Sequence, residues 1–167
     1  TALMESIEGK RSMPRSRPPF PAAAGVWGKP SNINNVKSLS YAPEIISQGS
    51  EWFSSIGVNR STGTAIICLS GAVRRPGLYE VPMGITLRKI VEEIGGGLPE
   101  GRSLKLLQTG GPLGGVLGAD SLDIRLDFEE MSEAGAILGS GGIIVADDTT
   151  CPVDLTRILV AFCQYES

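Results

Sequence analysis

The order of apolar runs and turn signals predicts an α+β fold in which a mixed sheet packs around one helix. Three observations carry it. Residues 64–70 (TAIICLS) are a β-rich run, RRPGLYEV holds a Pro76-Gly77 turn, and Leu87, Ile90, Val91 and Ile94 recur at helical spacing. Glycine contributes 22 of 167 residues, about 13% against a typical ~7%, so many tight turns are expected.

Taken in order, the first 30 residues form an irregular basic strip. It carries Pro14, Pro18, Pro19, Pro21 and Pro30 among Lys10, Arg11, Arg15, Arg17 and Lys29. Proline fixes φ and removes a donor, so composition points to an extended surface arm or a polyproline ligand. Asn35 suits the N-cap of a short helix carrying Val36, Leu39 and Ala42, and Pro43 opens a second turn through Ile45 and Ile46. Trp52 and Phe53 are expected to anchor this region on a neighbour.

From Gly63 the pattern changes. The first strand extends past Gly71 through Ala72 and Val73, and Leu78 to Val81 returns as a hairpin. Thr86 caps the helix, and Gly95 stops it. Then come strand-like Leu104 to Gln108, a glycine loop from Gly110 to Gly115, an acidic segment from Asp120 to Glu133, and a buried strand from Gly142 to Ala146. Strand, turn, strand, helix and further strands is the order of a β-grasp. Pro152 and Asp154 start a last helix with Leu155, Ile158, Leu159 and Phe162 on one face. The chain opens at Thr1 without Met or a signal-like segment, and reads as cut from something longer.

Composition excludes several classes. With 15 basic and 18 acidic residues, the chain is not a general binder of nucleic acid. It has no histidine, which removes a Ser-His-Asp triad and His-ligated zinc. Cys68, Cys151 and Cys163 have no metal-site spacing; they suggest a reducing cytoplasm, with Cys151 and Cys163 as packing residues. No apolar run approaches the ~18–20 residues of a membrane span. The loops GGPLGG and GSGG do not fit a G-x-G-x-x-G fingerprint, and the acidic run is expected to be a solvated or partner-facing surface without a metal site.

Four stretches together resemble one family. They are TALMESIEGKRSMPRSRPPFPA (Thr1 to Ala22), GVWGKPSNINNVKSL (Gly25 to Leu39), GAVRRPGLYEVPMG (Gly71 to Gly84) and GAILGSGGIIVADDTTCPVD (Gly135 to Asp154). The chain resembles the NADH-binding flavoprotein subunit of respiratory complex I and its relatives in NAD-reducing hydrogenases and formate dehydrogenases. The resemblance implies the C-terminal end of an FMN/NADH-binding α/β domain at 1–50, a linker at 51–62, a ubiquitin-like β-grasp (SLBB) domain at 63–148, and the start of a helical [4Fe-4S] domain at 149–167. The cluster's own cysteines would lie after Tyr165 to Ser167.

The same resemblance places Ile33, Asn34, Asn35 and Ser38 at FMN, and Arg17 and Phe20 at NADH, with Phe20 on the adenine. Amides and a hydroxyl at a helix start can meet ribityl hydroxyls and phosphate. Lys37 stands where the family usually has Glu, and Ser38 where it has Thr. The implied parent is an NADH dehydrogenase of the quinone, hydrogenase or formate dehydrogenase type. It moves electrons between NAD(H), FMN and iron–sulfur clusters, and no residue of this segment acts as general acid or base. Expected partners are subunits of a multi-subunit redox complex, including a thioredoxin-like iron–sulfur subunit. The expected location is the cytoplasm, peripheral to the membrane through those subunits and without insertion. A free-standing SLBB module that binds a small ligand or partner is the competing reading, and the PPFP and INNV stretches argue against it.

Overall fold

Why the first proline comes only at residue 14 becomes clear in the computed structural model, which describes residues 2–166. Expectations that reach Thr1 or Ser167 fall outside the described residues at those two positions. Ahead of the prolines, α1 (Ala2–Ile7) forms a short helix that buries Met4. The strip is therefore not irregular throughout: the restriction that proline imposes begins only after this turn.

The chain divides into two compact units, residues 1–49 and 50–167. In the first, α2 (Val36–Gln48) starts where expected, with the Asn35 side chain accepting from the Lys37 amide at 2.8 Å. It does not break at Pro43. One continuous helix of 13 residues runs through the proline to Gly49, which adopts φ 93°. Pro43 removes the donor for a single carbonyl, that of Leu39, on an exposed turn where water can take it.

The second unit opens with α3 (Ser50–Ser54) and a small hairpin of β1 (Gly57–Val58) and β2 (Ser61–Thr62), turning at Asn59 with φ 50°. The stretch expected as a linker thus holds regular structure. Phe53 covers Gly63, where a Cβ would meet its ring. The main sheet contains β3 (Thr64–Gly71), β4 (Gly77–Pro82), β5 (Leu104–Thr109), β6 (Val116–Gly118) and β7 (Gly142–Asp147), in the order β4-β3-β7-β5-β6. Pairing is antiparallel except between β3 and β7, which run parallel. The Pro76-Gly77 hairpin forms as expected, with Leu69 opposite Gly77. Strand β3 ends at Gly71, so Ala72 and Val73 do not extend it. Gly71 takes φ 86°, and a Cβ there would strike the Val145 carbonyl.

One face of the sheet is packed by the helical segment after Thr86. Ile67, Leu87, Ile90, Leu107 and Leu126 are fully buried in a single core cluster. Thr86 caps the segment, its hydroxyl accepting from the Lys89 amide at 3.3 Å. The last six residues, Lys89–Ile94, form a π-helical turn, with the Gly95 amide bonded to the Ile90 carbonyl at 2.8 Å. Gly95 itself remains helical at φ −71°; Gly96 and Gly97, at φ 73° and 74°, provide the left-handed stop. The wider turn still presents Leu87, Ile90 and Val91 to the sheet. Arg74 and Arg75 bind its end, donating to the carbonyls of Leu98, Ile94 and Glu93. Positive charge there complements the helix dipole.

The acidic segment is not uniformly solvated. Asp127 is 1% exposed and caps α4 (Phe128–Glu133) by accepting from the amides of Glu129 and Glu130. Arg88 pairs with Asp123 at 2.7 Å and Arg125 pairs with Glu130. These contacts hold the carboxyls of Asp123 and Glu130 below their ordinary range, each chiefly through its arginine. α5 (Pro152–Glu166) closes the chain, with Leu155 and Leu159 half-buried and Ile158 exposed. Cys151 is exposed and Cys163 half-buried, so neither fills a core as expected. A cysteine packs only where a neighbouring layer covers it; Cys151 lies open, and Cys163 is covered only in part.

Candidate functional site

Among the expected site residues, the structure gathers Ile33 and Asn34 into one cleft. This cleft, of about 290 Å³, is lined by Leu3, Met4 and Ile7 of α1, by Val26, and by Ser31, Asn32, Ile33, Asn34 and Leu39. Its floor is apolar, and its rim is two carboxamides and a hydroxyl. Asn34 is exposed there, and its amide is not engaged by another described residue. Asn35 is already used at the N-cap, and Ser38 lies exposed on the first turn of α2. Neither lines the cleft. Arg17 and Phe20 lie on the proline strip, both exposed, Phe20 to 60%.

Sequence reasoning missed the polar network beside the cleft. Arg15 pairs with Glu5 and, at 2.6 Å, with Glu8, and donates to the Gly25 carbonyl at 3.0 Å. Glu8 also accepts from Lys10 at 2.7 Å and from the Trp27 amide at 2.8 Å, and its side chain is only 5% exposed. These two contacts, Lys10 first, hold the Glu8 carboxyl below the usual carboxylate range. The network fixes a tight turn in which Trp27 adopts φ 50° and stays 71% exposed. Next to it, Ser31 accepts from the Val26 amide at 2.9 Å and donates to the Lys29 carbonyl, while its own amide reaches the Pro21 carbonyl. A Cβ on Gly25 would occupy the Ser31 side chain's place, so this approach requires glycine. The spacings of 7 and 10 between the charged partners match no periodicity that would have flagged them.

A second pocket, of about 300 Å³, lies on the other unit. It is bounded by Gly71, Ala72, Leu106, Gln108, Ile144 and Leu155 among others, and the Gln108 amide donates to the carbonyls of Thr109 and Gly111. Among the described residues, no group of three or more His, Cys, Asp or Glu side chains could hold a metal ion, and no helix is long and apolar enough to cross a membrane.

Residues 66–117 fit the family model for the SLBB domain. That match lies within a longer likeness. Over all 167 residues it is 48% identical to an NADH-quinone oxidoreductase subunit of Rhizobium meliloti, covering 40% of that protein. It is 45% identical to the HndC subunit of the NADP-reducing hydrogenase of Solidesulfovibrio fructosivorans, covering 34%. To the corresponding NADH-quinone oxidoreductase subunit of Escherichia coli it is 41% identical, covering 38%. Among solved structures it superposes on NAD+-reducing [NiFe]-hydrogenase in the H2-reduced state with a TM-score of 0.84 at 35% identity, covering 99% of this chain and 27% of that one. The chain thus spans two-fifths or less of these relatives, and along its whole length it is related to these NADH-quinone oxidoreductase and NAD(P)-reducing hydrogenase subunits.

Proposed function

We propose that this chain is a segment of an NADH-oxidising or NAD-reducing flavoprotein subunit and supplies one wall of its FMN/NADH site. The single observation that carries this reading is likeness across all 167 residues to oxidoreductase and hydrogenase subunits named for NADH or NADP. Bound FMN would accept or give a hydride and pass single electrons onward to iron–sulfur clusters. The chain's own residues bind and orient. The apolar cleft with the Asn34 amide at its rim suits a flat ring carrying a polar side arm. Ile33 adds apolar surface; Asn35 and Ser38, at the start of α2, offer the helix N-terminus. Phe20 is a free aromatic face for adenine, and Arg17 a charged fork for phosphate or ribose. The domains follow: the end of the FMN domain at 1–50, a linker at 51–62, a β-grasp domain at 63–148, and the first helix of a [4Fe-4S] domain at 149–167. The sheet order with its one parallel pair and a helix on one face supports the β-grasp. Partners would be the other subunits of a redox complex, a thioredoxin-like iron–sulfur subunit among them, in a cytoplasmic assembly peripheral to the membrane.

A hydride acceptor must be gripped from several sides, and the residues here form one wall. The segment alone should therefore be colourless and inactive with NADH and ferricyanide, whereas the full-length protein should carry FMN and lose it on Asn34→Leu. A segment that copurifies with stoichiometric FMN, or an Asn34→Leu protein with unchanged flavin, would refute the placement. The pocket beside Gln108 favours a second reading, an SLBB module that holds a small ligand without redox chemistry. Loss of function on filling that pocket, with Asn34 replaceable, would select it.

A further inference from the structure

We propose that Glu8 and Arg15 are positioning residues of the cleft, acting together as a staple that sets the distance between its two walls. The proposal rests on the reading that this cleft receives the flavin. One wall is α1, through Leu3, Met4 and Ile7; the other is Val26 and the run from Ser31 to Asn34. Among the described residues, the backbone-to-backbone hydrogen bonds of α1 stay within residues 2–10, and the Ser12 hydroxyl donates to the Ala2 carbonyl at 3.1 Å. The polar ties between the walls are side chains. Arg15, standing on the proline strip, grips Glu5 and Glu8 on and just after α1 with one part of its fork and the Gly25 carbonyl with another. Glu8 closes the circuit by taking the Trp27 amide on the oxygen that also meets Arg15.

Three features make this more than a surface ion pair. The carboxylates are nearly enclosed, at 5% and 14% side-chain exposure for Glu8 and Glu5, so they would be left desolvated if Arg15 were lost. Trp27 is held in a left-handed conformation that bulky residues rarely adopt, and Glu8 is the group bonded to its amide. The same turn carries the chain to Ser31, whose hydroxyl bonds Val26, so a shift at Trp27 reaches Asn34 within a few residues. Neither charged side chain lines the cleft. They act through the loop.

The test uses the full-length protein and FMN as probe. Arg15→Gln should weaken FMN binding at least about ten-fold, the equivalent of one or two lost hydrogen bonds. FMN content should fall further than turnover per bound flavin, since neither residue lines the cleft and both act on it through the loop. Arg15→Lys should not rescue it, because a single ammonium cannot span two carboxylates and a carbonyl. Glu8→Gln, which keeps an oxygen for the Trp27 amide, should lose less than Glu8→Ala. Hydrogen exchange should quicken at residues 25–34 in Arg15→Gln and stay as wild type at 64–147, which separates loosening from global unfolding. Wild-type FMN affinity and exchange in Arg15→Gln and Glu8→Ala would overturn the staple. If Asn34→Leu releases FMN while those variants keep it, only the positioning role fails; if Asn34→Leu also keeps it, the cleft reading itself fails.

Discussion

Asp127 offers the sharpest test of the core of the second unit. Its Oδ1 accepts from the amides of Glu129 at 2.9 Å and Glu130 at 3.1 Å, while Oδ2 is buried with no hydrogen-bond partner among the described residues. Losing an N-cap costs about 0.5–2 kcal/mol. Here the residue is 1% exposed, so water cannot easily replace the acceptor, and Asp127→Ala should cost about 2 kcal/mol, the upper end of that range. Asp127→Asn retains one acceptor oxygen and should cost roughly half as much at neutral pH. The amide of Glu130 first, with the amide of Glu129, holds the Asp127 carboxyl below its ordinary range against the opposing effect of burial. A depressed folded pKa stabilises fully above the unfolded value near 4, and that stabilisation is lost as pH falls through the folded value. The gap between wild type and Asp127→Asn should therefore be constant from pH 7 to 5 and shrink below about pH 4. Urea unfolding followed by Trp52 fluorescence at pH 7, 5 and 3, with Trp27 replaced by Phe in every protein compared, measures it. Comparing the two proteins cancels the depressed carboxyls of Asp123 and Asp147, on which Asp127 does not act; Glu130 loses a neighbouring negative charge in the variant, which only lowers its carboxyl further. An Asp127→Ala midpoint equal to wild type at pH 7, or a gap independent of pH down to 3, would refute the argument.

Other perturbations probe separate links. Ile90, 0% exposed under the sheet, should not tolerate Asp: an unpaired buried carboxylate costs far more than the ~1.5–3 kcal/mol of one apolar side chain, so residues 50–167 should lose their cooperative thermal transition. Gly71→Ala should cost at least about 1–2 kcal/mol for the left-handed backbone, before the clash with the Val145 carbonyl; a melting temperature equal to wild type would mean β3 and β7 can part there freely. In the full-length protein, Phe20→Ala should raise the KM for NADH several-fold with little change in kcat, a stack being worth about 1 kcal/mol. Lost kcat at constant KM would instead give Phe20 a structural role.

Periodicity and turn chemistry made much of the second unit legible. The Pro76-Gly77 hairpin, the Thr86 cap and the buried trio Leu87, Ile90 and Val91 all follow from local rules, because burial of one face imposes a repeat on the residues that form it. The same logic placed Asn35 at its cap. Local rules could not say that the segment after Thr86 ends in a π turn, because α and π turns bury nearly the same residues and the choice rests on how the chain meets Gly96 and Gly97. Nor could they carry α2 through Pro43, where exposure of the Leu39 turn lets water satisfy the freed carbonyl. In the acidic run, Asp127 looks like its neighbours; what sets it apart is burial beside Ser61, 66 residues earlier, whose hydroxyl accepts from the amide of the next residue, Phe128. The cleft is the clearest case. Ile33 and Asn34 stand out as a motif, but the staple of Glu5, Glu8, Arg15 and Gly25 has no repeat, because its geometry comes from three segments meeting in space. Ion pairs of that kind obey distance and desolvation, and a linear spacing records neither.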